Sequence, residues 1–292
     1  MKTDVCIIGG GAGGVFSSFY LKRFGIDSVI IEKREIGGLI KYANYVENFP
    51  FLKPATGIEV AEKIKSIVFE SSLKFLNDTV INIEHRDNFF EIKTSSGLSI
   101  FSNYLILATG TIPFIPDEFN EVKDLVNDFE DKFFNFENIK IGIVGGGDIA
   151  FDYALNLSKR NNKVTVISRN IRAFELLVKR CYKSGIQVLN KCLIKNVFLN
   201  NQRFYLEIFN GDFIKLDFDY IIPACGRLPF YGNIENINKI INDKRFENKF
   251  FLCGDVKNQR CRYLINAISD SINVSLKIKE NFYESNCRMW KR

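Results

Sequence analysis

At 292 residues the chain can bury a substantial core, and its length suits two domains or one large one. Apolar residues make up 46% and charged residues 25%, the balance of an ordinary soluble globular protein, and no run approaches the roughly 18 uninterrupted apolar residues of a membrane span. The net charge of +6 is uneven: Leu157–Arg180 holds seven cations against Glu175 alone, while Ile115–Asn138 holds eight acids against Lys123 and Lys132. A short basic stretch of this kind reads as a solvated face or an anion site, and no nucleic-acid partner is expected.

The first element is a strand, "DVCIIG", feeding a glycine turn and an apolar helix from about Gly13 to Arg23 that Gly25 ends. "SVIIEK" follows as a second strand, so the opening forms a βαβ unit. Gly9, Gly11 and Gly14 stand in the G-x-G-x-x-G positions, and Glu32 closes the second strand. Glycines allow the tight turn and the close approach of a pyrophosphate, whose charge sits at the helix N-terminus, while the carboxylate accepts from a ribose hydroxyl. A glycine turn alone is weak evidence. Strand before, helix after and acid at the right distance make it a fingerprint for a dinucleotide with a free 2′-hydroxyl, such as FAD or NAD.

Val80–Leu107 then reads as short strands joined by "HRDN" and "SSG", a β-meander that runs into "ATG", Ala108–Gly110. The design repeats from "IKIGIVG" onward. Gly145, Gly147 and Ala150 occupy the fingerprint positions, a helix runs to about Lys159, and "KVTVISR" is the next strand. Here Ser168 and Arg169 stand where the acid would be, and Arg169 with Arg172 suits a 2′-phosphate, which a guanidinium can pair bidentately. The second unit therefore favours NADP(H) over NAD(H). A second meander and a small-residue turn, "PACGRLPF", complete an internal repeat of about 130 residues, the mark of a duplicated dinucleotide-binding domain.

These motifs together resemble the low-molecular-weight thioredoxin reductase family of flavoproteins. The resemblance rests on "GGGAGG" with Glu32, "GGLIKYANYVENFP", "ATG", "GGGDIA" and "FLCGDV" followed by "RCRYLINAISDSINVS", and it spans nearly the whole chain. It implies an α/β fold of two Rossmann-like domains in three-layer ββα form, each with a small β-meander, the second inserted in the first. The expected FAD domain is 1–115 with 246–292, and the expected NAD(P)H domain is 116–245. Lys33, Gly38, Leu39, Asn48, Ala108, Thr109, Gly110, Gly254, Asp255, Arg262 and Tyr263 join the first glycine motif at the flavin; Asp255 would bond the ribityl chain and Asn48 sit near the ring. Tyr263 stands where the family's arginine-glutamine pair has glutamine. Asp148, Ile149 and Ser168 join the second glycine motif at the nicotinamide dinucleotide. The resemblance also implies a homodimer paired through FAD domains, and rotation between domains about hinges near Pro113–Phe119 and Lys244–Lys249. The acid-rich stretch after the first hinge is expected to face the basic Lys159–Arg180 region of the same domain or a neighbour.

One departure bears on the acceptor. Disulfide-reducing members carry Cys-x-x-Cys before the second glycine motif, and this chain has no cysteine between Cys6 and Cys181. The bacillithiol-disulfide reductase type places a cysteine in the first glycine motif, where Ala12 and Gly13 stand. Thioredoxin reductase activity is therefore not expected. The seven cysteines are irregularly spaced, which suits a reducing cytoplasm rather than a secreted disulfide framework, and form no metal pattern. Cys6 and Cys253 read as buried strand residues, Cys181 and Cys192 bracket a helix-to-strand connection, and His85, the only histidine, falls in a meander turn.

The expected function is an FAD-dependent NAD(P)H oxidoreductase that passes electrons to a non-disulfide acceptor, such as a ferredoxin or flavodoxin. The similar cysteine-free ferredoxin-NADP reductases cover the flavin with a C-terminal aromatic, for which only Tyr283 and Trp290 are candidates here. Two alternatives stay open: a non-catalytic flavin- or nucleotide-binding sensor, and a disulfide reductase using Cys287 or cysteines of a partner.

Overall fold

The computed structural model describes residues 1–50, 52–86, 88–258 and 261–290, the last six by their backbone alone. It opens with β1 (Lys2–Ile8), α1 (Ala12–Arg23), β2 (Ser28–Glu32), α2 (Gly57–Glu70), β3 (Lys74–Asn77), β4 (Val80–Arg86), β5 (Phe89–Thr94), β6 (Ser99–Leu107) and β7 (Thr111–Pro113). The middle holds two helical turns, α3 (Lys123–Val126) and α4 (Phe129–Lys132), then β8 (Lys140–Val144), α5 (Asp148–Ser158), β9 (Lys163–Ile167), α6 (Glu175–Lys183) and β10 (Gln187–Leu189). After them come β11 (Leu193–Asn200), β12 (Arg203–Asn210), β13 (Asp212–Phe218), β14 (Tyr220–Pro223) and β15 (Arg227–Pro229). The chain closes with α7 (Ile237–Ile241), β16 (Phe250–Leu252) and α8 (Leu264–Trp290). Two compact units result, each a Rossmann-like α/β domain: 1–41, 47–111 and 229–292 in the first, 42–46 and 112–228 in the second.

In the first unit a seven-stranded sheet runs β3-β2-β1-β6-β5-β4, with β16 also on β6. β6 joins the parallel and antiparallel parts of that sheet. Its first half pairs antiparallel with β5 and alternates in burial, whereas Leu105–Leu107 pairs parallel with β1 and β16 and is buried without a break. A strand covered on both faces needs a continuous apolar run, so "YLIL" at its end is what lets the meander grow into the parallel core. α1 ends in a Schellman turn: Ile26 N–H donates to Leu21 O and Gly25 N–H to Lys22 O, with Gly25 at φ +72°. α2 starts from a capping box between Thr56 and Glu59. α8 lies parallel to α1 and is stitched along its length, Ser271 Oγ to Gly13 O at 2.9 Å, Ser275 Oγ to Ser17 O at 3.2 Å and Tyr283 Oη to Phe24 O at 2.8 Å.

The second unit has a parallel sheet β10-β9-β8-β14 and a separate antiparallel sheet β11-β12-β13. Its core includes Phe119, Phe129, Phe133 and Phe151, all fully buried. The acidic stretch supplies part of that core and meets cations both locally and from the basic region: Glu130 pairs with Arg227 at 2.7 Å, each side chain 8% exposed, Asp128 pairs with Lys132 at 3.0 Å, and Arg160 Nη1 donates to Phe133 O at 2.9 Å.

Three expectations about the chain's path change. Residues 229–245, expected in the inserted domain, belong to the first unit, because Ile234, Ile237 and Ile240 complete the apolar cluster around Phe90 and Ile92. The chain crosses between units at Thr111–Ile112 and Leu228–Pro229, within the paired strands β7 and β15; Lys244–Phe246 is a turn inside the first unit whose Phe246 is core. Tyr42–Val46, part of the "GGLIKYANYVENFP" motif carried to the flavin, packs with the second unit: Asn156 Nδ2 donates to Tyr42 O at 2.9 Å and the Tyr42 ring stacks on Phe134. His85 lies in β4 rather than a turn, its ring 4.5 Å from that of Phe246. Among the described residues no helix is long and apolar enough to cross a membrane, and no group of His, Cys, Asp or Glu could hold a metal.

Candidate functional site

Each unit carries a glycine cradle, and the two match bond for bond. In the first, Gly9 N–H donates to Ile31 O at 2.9 Å and Ala108 N–H to Ile8 O at 2.8 Å; in the second, Gly145 N–H donates to Ile167 O at 2.9 Å and Ala224 N–H to Val144 O at 2.7 Å. A Cβ on Gly9 would fall 2.4 Å from Ala108 O, and one on Gly145 would fall 2.3 Å from Ala224 O. No side chain larger than hydrogen fits at either turn. Both helices start uncapped, α1 from Gly11 and α5 from Gly147, so their first amides have no side-chain acceptor.

In the first cradle Glu32 does structural work as well. Its carboxylate accepts from Gly10 N–H at 2.7 Å and Arg34 N–H at 2.8 Å, which sets it at the rim of the glycine turn with lone pairs to spare for a hydroxyl donor. A second glycine turn locks on: Gly37 N–H donates to Gly10 O at 2.9 Å, Gly11 bridges Gly37, and Gly38, at φ +69°, would put a Cβ 3.0 Å from Gly11 Cα. The ATG turn is held by Phe230, whose carbonyl accepts from Thr109 Oγ1 and whose N–H donates to Gly110 O at 3.0 Å; Lys33 Nζ lies 4.8 Å from the Phe230 ring centre.

The second cradle changes the chemistry at the equivalent points. Ser168 follows Ile167 as Glu32 follows Ile31, but it is 2% exposed and its hydroxyl donates to Asn190 Oδ1 at 3.2 Å. Gly146 O accepts from Arg172 N–H at 2.6 Å, as Gly10 O accepts from Gly37 N–H. The loop after β9 thus folds back on the glycine turn with Arg169 and Arg172 exposed. An acid and a glycine in one cradle are replaced by a buried serine and exposed arginines in the other.

Residues 3–271 match the family described as pyridine nucleotide-disulphide oxidoreductase. The chain belongs to that family. Among its curated relatives is a thioredoxin reductase of Mycoplasma genitalium, 26% identical over 309 aligned positions that cover 95% of each chain. A ferredoxin-NADP reductase of Rickettsia rickettsii is 36% identical over 183 residues, 58% of this chain and 53% of that one. Lactococcus lactis thioredoxin reductase shares the fold at a TM-score of 0.82 and 22% identity, over 97% of this chain and all of that one. Staphylococcus aureus bacillithiol disulfide reductase does so at 0.72 and 19%, over 96% and 99%.

Membership makes this pyridine nucleotide oxidoreductase an enzyme and implies FAD and a nicotinamide dinucleotide as its cofactors. The first cradle fits such a group. A Cβ on Gly14 would fall 1.9 Å from Gly9 O, whereas one on Gly11 meets nothing nearer than 3.9 Å, so the turn is closed on its protein side and open where a pyrophosphate would lie. Gly147 repeats that opening in the second cradle, with nothing within 4 Å.

The remaining expected residues are spread unevenly. Gly254, at φ +75°, and Asp255 form the turn after β16, and a Cβ on Gly254 would approach Gly13 Cα at 3.7 Å, which places this turn beside α1's first residues. Arg262 Nε donates to Asn258 O at 2.9 Å, Tyr263 and Asn48 are exposed, and Leu39 is half-buried. In the second unit Ala150 is buried, Ile149 is exposed on the first turn of α5, and the Asp148 carboxylate accepts from Phe174 N–H at 2.8 Å. Asp148 thus holds the start of α6.

Gly37, the first residue of the "GGLIKYANYVENFP" motif, and Phe230, which no motif marked for the flavin, brace the first cradle through backbone bonds. Asp152, on α5, accepts from the amides of Asn44 (2.8 Å) and Tyr45, and burial outweighs these bonds to raise its carboxyl to about 6. A helical carboxylate at i+4 from Asp148 was the only sequence signal, and it is a common one.

Five of the six described thiols are buried or half-buried and offer little nucleophile, whereas Cys261 is exposed. Burial pushes the Cys6 and Cys253 thiols up, Cys181 to about 12 and Cys225 to about 11, and raises Cys192 as well. All six described cysteines are free. The side chains of Cys287 and Trp290 lie outside the described residues.

Proposed function

We propose that the protein is an FAD-dependent oxidoreductase that takes a hydride from NADPH in preference to NADH and passes electrons to a small carrier protein of ferredoxin or flavodoxin type. The observation that carries the reading is the lack of any Cys-x-x-Cys in the sequence together with raised pKa values at the buried thiols, since the thiolate is the form that attacks a disulfide. Gly9, Gly11, Gly14, Glu32 and the turns at Gly37–Gly38, Ala108–Gly110 and Gly254–Asp255 would hold FAD. Bound there, the flavin supplies two-electron acceptance and one-electron release, which a carrier protein needs. Gly145, Gly147, Arg169 and Arg172 would hold the nicotinamide dinucleotide. The similarity to a ferredoxin-NADP reductase supports the acceptor class. Free thiols support a reducing cytoplasm, and the family resemblance supports a homodimer paired through FAD domains.

The thioredoxin reductase among the relatives favours a second reading, a disulfide acceptor. One experiment separates the two. The FAD-loaded protein is titrated anaerobically with NADPH and with NADH while flavin absorbance is followed, and the reduced protein is then mixed with ferredoxin, flavodoxin or oxidised thioredoxin. Bleaching by about one equivalent of NADPH and reoxidation by a carrier protein supports the proposal. Reoxidation by thioredoxin alone replaces it with the second reading, and no bleaching by either nucleotide leaves a binding protein without turnover.

A further inference from the structure

The loop between β9 and α6 carries one residue that folding does not explain. Phe174 is the N-cap of α6, a position where Ser, Thr, Asp or Asn would satisfy a free amide, and its side chain is 66% exposed. Its place is nevertheless tightly held. Arg172 and Ala173 N–H both donate to Gly146 O (2.6 and 3.0 Å), Asn170 O sits where a Gly146 Cβ would be, and Phe174 N–H donates to the Asp148 carboxylate on α5's first turn. Three bonds from consecutive amides thus hold the backbone of an exposed aromatic residue beside the uncapped helix start, at the end of the loop that bears Arg169 and Arg172. The turn after β14 faces the same space: Cys225, half-buried, lies within the field of both arginines.

This arrangement matters for a dinucleotide seated as proposed above, and the inference rests on that reading. With its pyrophosphate on the α5 amides and its 2′-phosphate at the arginines, the adenine, borne by the same ribose as the 2′-phosphate, would come within reach of the loop 169–174. The adenine is a flat π-face with no charge for the arginines to grip, and a rigid exposed ring is the surface that binds it. We propose that Phe174 is the adenine platform of the second cradle, and that it sets affinity for the 2′-phosphoadenosine half of the nucleotide.

The test uses full-length FAD-loaded protein and its Phe174→Ala, Phe174→Leu and Phe174→Trp variants, titrated with adenosine 2′,5′-bisphosphate, NADPH and reduced nicotinamide mononucleotide. Phe174→Ala weakens both adenosine ligands about tenfold, a typical loss for one stacked base, and leaves the mononucleotide and the flavin content unchanged. Phe174→Leu loses nearly as much, because leucine keeps the bulk and not the π-face. In Phe174→Trp affinity is kept, and adding the bisphosphate quenches the new indole over the background of the single native Trp290. Equal affinity in wild type and Phe174→Ala, or an unquenched indole, overturns the platform and assigns the ring to a protein-facing surface. If wild type itself binds neither adenosine ligand, the nucleotide reading falls and the platform with it.

Discussion

Arg172 donates its N–H to Gly146 O at 2.6 Å, the place that Gly37 N–H holds on Gly10 O in the other cradle. Duplicated loops have kept the bond and exchanged the residue, and the exchange puts Arg172 where the first cradle has a glycine. Replacing Arg169 and Arg172 together by alanine should raise KM for NADPH at least tenfold, since a hydrogen bond to a charged group contributes about 1.5–3 kcal/mol. KM for NADH should hardly move. Steady-state kinetics with both nucleotides checks this, and an equal loss for both would show that the arginines do not read a 2′-phosphate.

Gly14→Ala and Gly147→Ala should separate folding from binding. A Cβ at Gly14 meets Gly9 O at 1.9 Å and must push the turn apart, at a cost of about 1–3 kcal/mol. That variant should purify with little FAD and melt earlier. At Gly147 the Cβ enters open space, so the fold and flavin content should stay normal while nicotinamide dinucleotide affinity falls about tenfold. Flavin content and a binding titration measure the two effects.

Cys287→Ser should leave flavin reduction and carrier turnover unchanged. α8 passes Gly13 at Ser271, reaches Phe24 at Tyr283 and continues away from the glycine turn, and α1 alone spans about 18 Å at 1.5 Å per residue. Tyr283, expected as a flavin cover, is therefore tied at the far end of α1. Loss of turnover in the serine variant would require a second chain to bring Cys287 to the flavin.

Glu130→Gln should destabilise the second unit by about 1–3 kcal/mol, because it removes the negative charge paired with Arg227 in a site 8% exposed. Urea unfolding gives the magnitude. A loss below 1 kcal/mol would mean that water reaches the pair.

Asp152 makes stability depend on pH. Its folded pKa of about 6 lies above the unfolded value near 3.8, so the folded state binds the extra proton between these values. Stability from this group is full below about pH 4 and is lost as pH rises through 6, by about 2–3 kcal/mol. Asp152→Asn should remove that fall, read as a flatter melting temperature against pH from 4 to 7. An unchanged slope would assign it to other groups.

The sequence by itself determined the βαβ units, both glycine turns, the Glu32 and Arg169 contrast and the meanders, because each follows from local periodicity and from turns so close to a neighbouring strand end that a Cβ has no room at Gly9 or Gly145. Ser168 was legible as a missing acid, but not as a buried residue turned to Asn190. Tertiary structure decided what depends on distant segments meeting. Residues 229–245 look no different from inserted-domain residues until Ile234, Ile237 and Ile240 fill a cluster around Phe90. Tyr42–Val46 reads as flavin loop until Asp152 accepts its amides. Burial of apolar surface and of a carboxylate is set by what packs over them, and periodicity along one segment carries no record of its partner.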